Sequence, residues 1–184
     1  MPYMQAMVGY DKNCALQFVN GSNDRKVTIN CITFKVNEEV IAVATELSMK
    51  GKKWRKVTKI ENESSMSSFF TNDEEPVHYR GGFKRDMLLA PWDDVCLVLM
   101  KYLTLEGRFG VYYYYHFPLL NHFRNRDFIS IPFFLLHSLE DMVSDVREKR
   151  NKGHNFIIIH QGLILFLYQF HISLCPPRVV VVDN

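Results

Sequence analysis

The chain has 184 residues, enough for one ordinary domain and short for two. Apolar residues make up 47% of it and aromatics 14%, which excludes a disordered composition and supplies large rings for a core. Its 22 basic residues face 20 acidic ones, so global attraction to nucleic acid or to an anionic membrane is excluded, and binding of either needs a local cluster.

The cysteines, Cys14, Cys31, Cys96 and Cys175, stand far apart with no CxxC pair. They read as buried thiols of a reducing compartment, not as a disulfide framework. Met1 to Tyr10 has no basic start followed by an apolar run, so no secretory signal is expected and nucleus or cytoplasm follows by default.

In chain order, Cys14 to Val19 is a short apolar run, and Asn20, Gly21, Ser22, Asn23 and Asp24 supply turn chemistry. Arg25 to Val36 alternates with period two, Val27, Ile29 and Cys31 on one parity, then Ile32, Phe34 and Val36 on the other. A β-hairpin closed by the five-residue turn is expected, with a bulge or a doubly covered sheet where the parity switches near Cys31. Asn37 reads as a helix N-cap, with Glu38 and Glu39 where the helix dipole favours carboxylates. Val40, Val43, Ala44 and Leu47 form its apolar stripe and Gly51 its C-terminal cap. Residues 61–86 are rich in Ser, Asn, Asp and Glu and read as a polar connection, extended by Gly81 and Gly82 and tethered at its middle by Phe69 and Phe70.

The second half reads as helices. Pro91, Asp93 and Asp94 open the first, whose stripe is Trp92, Val95, Cys96, Leu99 and Leu103, with a stop near Gly107. Another is expected from Val111 to Asn125, with Tyr112, Tyr115, Leu119 and Phe123 on one face and Pro118 as a break or kink. Ser130 and Pro132 start the clearest helix, which buries Leu135, Leu139, Met142 and Val146 and ends at Gly153. Its other side, including Glu140, Asp141, Asp145, Arg147, Glu148 and Lys149, is expected to be solvated. Phe156 to Cys175 matches the roughly 20 residues of a bilayer-spanning helix. His160, Gln161, Gln169 and His171 are each costly in hydrocarbon, so a buried core helix is expected, with membrane association as the alternative. Pro176 and Pro177 stop it, and Val179 to Val182 adds a final strand.

Catalytic motifs are missing: no phosphate-cradling glycine loop, no HExxH, no GxSxG. His116 and His122, like His154 and His160, are six apart, a poor helical spacing for a metal pair, so no metal and no cofactor are expected. Cys96 as a nucleophile is disfavoured by its place on an apolar stripe. The strongest cluster is Lys50, Lys52, Lys53, Arg55, Lys56 and Lys59 around Trp54. Clustered cations release counterions from RNA or DNA and an indole stacks on an unpaired base; the bland alternative is a solvated loop with Trp54 packed on the core. The same run fits a nuclear-import patch. A smaller run, Arg147, Lys149, Arg150 and Lys152, is read as capping the later helix. Tyr112, Tyr113, Tyr114 and Tyr115 would cover all sides of a helix, offering an aromatic surface to a protein partner or packing between helices.

Three stretches carry a resemblance: VTINCITFKVNEEVIAVATEL (Val27 to Leu47) followed by GKKW ending at Trp54; LTLEGRFGVYYYYHFPLLNHFRN (Leu103 to Asn125); and IPFFLLHSLEDMV (Ile131 to Val143) with HQGLILFLYQF (His160 to Phe170) after it. In pieces spread between Val27 and Phe170, they resemble the plant transposon- and retrotransposon-associated proteins grouped as a plant transposon protein domain. The resemblance implies a plant source, a mobile-element origin and a non-enzymatic accessory or structural role, with no active-site residues to carry over. The tail after Phe170 turns into CPPRVVVVDN where relatives are expected to continue.

The expected architecture is one α+β domain over residues 1–184. A small N-terminal hairpin-plus-helix portion (1–60) is joined through the polar connection (61–86) to a predominantly helical portion (87–184). The expected function is non-enzymatic binding, of nucleic acid through the basic cluster or of a protein through the tyrosines.

Overall fold

The computed structural model describes residues 11–55, 67–70, 82–84, 87–104, 111–113 and 117–174. It is α+β: an antiparallel two-stranded hairpin near the N-terminus and a mostly helical C-terminal part. The chain divides into two compact units, Met1–Glu46 with Val143–Asn184, and Leu47–Met142.

In the first unit, α1 (Lys12–Gly21) is a helix where a strand is expected from the apolar run Cys14 to Val19. The Asp11 carboxylate accepts the Cys14 amide at 2.9 Å, a side-chain cap, and Cys14, Ala15, Phe18 and Val19 are buried at helical spacing. An uninterrupted apolar run fits either element; the cap decides it. The hairpin therefore forms further on, from β1 (Lys26–Ile29) and β2 (Ile32–Lys35), with Val27 opposite Phe34 and Ile29 opposite Ile32. Asn30 and Cys31 make a two-residue turn with φ of 47° and 64°, the positive values that tight hairpins need. That turn, and no bulge, explains the parity switch: in this register an odd-numbered residue of β1 faces an even-numbered one of β2. Gln17 clasps Asn30 with two hydrogen bonds, 2.7 Å to its amide and 2.9 Å between side chains, and the Asn30 side chain donates to the Tyr168 hydroxyl at 3.0 Å.

α2 (Glu38–Thr45) starts as expected, the Asn37 side chain accepting the Val40 amide at 2.8 Å with Glu38 and Glu39 in the first turn. It ends at Thr45, with Glu46 in the left-handed region, well before Gly51. Its buried side is Ile41, Ala42, Ala44 and Thr45, leaving Val43 67% exposed. α6 (Gln161–Leu174) packs against α1 and α2 and buries Leu163, Ile164 and Leu167. At 1.5 Å per residue it is about 21 Å long against roughly 30 Å of hydrocarbon. No helix among the described residues is long and apolar enough to cross a membrane. Phe156 to His160 precede the helix in irregular structure, and Cys175 to Val182 lie outside the described residues.

In the second unit, α3 (Trp92–Leu99) carries Asp93 and Asp94 in its first turn and widens into a π turn over Met100–Thr104. Cys96, Leu99, Met100 and Leu103 are buried, while Trp92 and Val95 are intermediate. β3 (Gly82–Lys84) pairs with β4 (Val111–Tyr113), so Gly82 belongs to a strand where irregular chain is expected. α4 (Phe117–Arg124) starts after the tyrosines, and Pro118 sits in its first turn, where proline is tolerated without a kink. The tethering of Phe69 and Phe70 is as expected: they are 0% and 6% exposed and pack near the Phe117 ring, each with centroids 5.7 Å from it. α5 (Ile131–Asn151) is shared by the two units, and Leu135, Leu139, Met142 and Val146 are all buried, as the spacing predicts.

Candidate nucleic-acid interface

The cationic segment is built by backbone pairing. The Lys52 amide donates to the Phe128 carbonyl at 2.7 Å, and the Ser130 amide donates to the Lys52 carbonyl at 3.0 Å. Gly51 makes this approach feasible. Its φ is +122°, and a Cβ there would lie 2.7 Å from backbone atoms of Phe128 and Ile129. Chain 50–55 is thus fixed along the loop that leads into α5.

Lys50, Lys52, Lys53 and Arg55 are exposed on this segment, and Lys56 and Lys59 lie outside the described residues. Lys52 pairs with Asp127 at 2.8 Å and Arg55 with Asp141 at 2.6 Å, while the Lys53 ammonium stands 5.3 Å from the Phe133 ring centroid. Asp127 also meets His122 Nδ1 at 3.0 Å, and the hydrogen bonds from Lys52 and then His122 hold its carboxyl below the usual range. These acid–base pairs lie at the surface, where solvent screens them, so a phosphate can compete for the cation.

Trp54 corrects the expectation of an open stacking ring. It is 7% exposed, and its indole stacks on Phe134 at 5.3 Å and 22°. The bland reading of that residue holds: it anchors the segment to α5. The exposed ring is Phe128, 84% accessible. The signal for it in the sequence is weak: aromatics and cations interleave in the run Phe123, Arg124, Arg126, Phe128. Arg124 of that run lies 4.8 Å from the Phe69 ring centroid and donates to Ser68, and Arg126 is exposed with a φ of 56°.

Tyr112 and Tyr113 sit in strand β4 and not in the helix expected from Val111, which starts only at Phe117. Tyr114 and Tyr115 lie outside the described residues.

Among the described residues no three His, Cys, Asp or Glu side chains converge as metal ligands. Cys14 and Cys96 are buried thiols; burial, with Asp11 beside it, pushes Cys14 up to about 11. Cys31, expected inside, is exposed because it occupies the hairpin turn. An open groove of about 560 Å³ in the first unit is lined by Lys12, Leu16, His154, Phe156, Ile157 and Gln161, among others, with no carboxylate among the described residues that line it.

No family model matches the chain, and no curated protein or solved structure matches it.

Proposed function

We propose that this chain is a non-enzymatic binding protein that contacts nucleic acid through the edge formed by residues 50–55 and 123–130. One observation carries this: Lys50, Lys52, Lys53 and Arg55 are all exposed on a single segment whose backbone is locked to the Phe128–Ser130 loop. Cations held at fixed spacing replace the counterions of a phosphate backbone, and release of those counterions drives association. Preorganisation lowers the entropy that binding must otherwise supply. In the unbound state Lys52 and Arg55 pair with Asp127 and Asp141 in surface contacts that a phosphate can displace. Plant mobile-element kinship belongs to the same proposal and is supported by the three sequence stretches described above.

Fluorescence anisotropy of labelled RNA and DNA against salt tests it. Micromolar binding at low salt is expected, with log affinity falling against log salt at a slope of about −3 for four phosphate contacts on a single strand. Absence of binding at low salt overturns the proposal.

A further inference from the structure

We infer that the ligand class of this edge is single-stranded nucleic acid, and that Phe128 is the ring on which an unpaired base stacks; this deepens the nucleic-acid reading and rests on it.

Phe128 is the most exposed of the large apolar side chains among the described residues. A ring of that size is normally withdrawn from water, so its exposure asks for a physical reason. Looseness is not the reason, because the loop is pinned on every side. The Asn125, Arg126 and Asp127 amides bond back to the Asn121, Phe123 and His122 carbonyls at 2.9, 3.1 and 2.9 Å. The Phe128 carbonyl itself accepts from Lys52. The next residues, Ile129 and Ser130, are 9% and 0% exposed. The Phe128 side chain is therefore presented to solvent from a loop held by backbone hydrogen bonds, two residues after the exposed Arg126 and with its own carbonyl bonded to the amide of exposed Lys52.

Single-stranded nucleic acid matches this combination. Its bases expose free π faces, whereas a duplex stacks its bases on one another and offers chiefly phosphates to a cationic edge. A ring among cations takes a base while the lysines take the flanking phosphates, and the preference is sequence-tolerant because every base has a face to stack. With Trp54 buried, Phe128 at 84% is the more open of the exposed rings on this edge, Phe123 standing at 40%.

The experiment compares labelled oligothymidine with a labelled duplex of the same length, using the full chain and its Phe128→Ala and Phe128→Trp variants. The expected result is tighter binding of the single strand, a loss of about tenfold in Phe128→Ala, and recovery in Phe128→Trp. Duplex affinity and the salt slope should be the same in all three proteins, and an unchanged melting temperature excludes misfolding. Salt-dependent binding that is equal for both probes and indifferent to Phe128 overturns this inference and leaves the cationic edge standing. Failure of the unaltered chain to bind either probe at low salt overturns both.

Discussion

Two basic runs, 50–55 and 147–152, look alike in the sequence and are used differently by the fold. In the later run the arginines, though exposed, reach another element of the first unit. Arg147 donates to the carbonyls of Val19 and Ser22 at the C-terminal end of α1, and Arg150 donates to Asn20 beside them. A cation there completes orphan carbonyls and complements the helix dipole. Lys149 and Lys152 pair one helical turn back with Asp145 and Glu148, at 2.8 and 2.5 Å. The earlier run keeps its cations on an exposed edge, where Lys52 and Arg55 pair with surface carboxylates and Lys53 stands over an aromatic ring. Charge density alone does not separate a structural clamp from a binding edge; what each guanidinium or ammonium can reach does.

The sharpest contrast is between the two aromatics of the edge. Trp54→Ala should lower unfolding free energy by about 3–5 kcal/mol, as expected for removing a buried ring, whereas Phe128→Ala should stay within about 0.5 kcal/mol of the native chain in urea melts. Equal losses would mean that Phe128 belongs to the core. Gly51→Ala should cost about 2–3 kcal/mol, because it forces a side chain into a glycine conformation against the Phe128 backbone. It should loosen the edge and weaken nucleic-acid binding along with stability. Arg147→Ala should cost about 2 kcal/mol by stranding the α1 carbonyls, while Lys52→Ala loses less than about 1 kcal/mol. Asp127→Asn should tighten binding severalfold by releasing Lys52, read by anisotropy at fixed salt.

A smaller effect tests the hairpin. His171 stacks on Phe34 with ring centroids 4.4 Å apart, and burial outweighs its hydrogen bond to the Lys35 backbone, lowering its pKa from 6.5. The unfolded chain then binds the proton more readily than the folded one. Stability should be fully present above about pH 6.5 and lost as pH falls through the depressed folded value. Urea midpoints should drop modestly between about pH 7.5 and pH 5, and His171→Asn should flatten that drop. An unchanged slope in the variant would place the titrating group elsewhere.

Local chemistry was the legible part of this sequence. Asn37 with Glu38 and Glu39 announces α2, and Leu135, Leu139, Met142 and Val146 announce the buried stripe of α5, because caps and periodicity act within one turn of the chain. Cys14 to Val19 is ambiguous, since an apolar run serves a strand as well as a helix, and the Asp11 cap that settles it lies outside the run. The parity switch at Cys31 was visible, yet its cause needed the register of β1 on β2. The basic edge was half legible. Its cations are contiguous, but Asp127, Asp141 and the exposed Phe128 reach it only through tertiary pairing across more than seventy residues. Burial of Trp54 against Phe134 is a contact of the same long range, and no spacing rule anticipates it.

The most direct test neutralises each basic run separately and measures both stability and oligonucleotide affinity. Replacing Lys50, Lys52, Lys53 and Arg55 by alanine should abolish most salt-dependent binding and leave the urea midpoint nearly unchanged. Replacing Arg147 and Arg150 should do the reverse, lowering the midpoint while the remaining folded protein binds normally. Equal loss of binding in both, or none in the first, would contradict the assignment of the 50–55 edge as the binding surface.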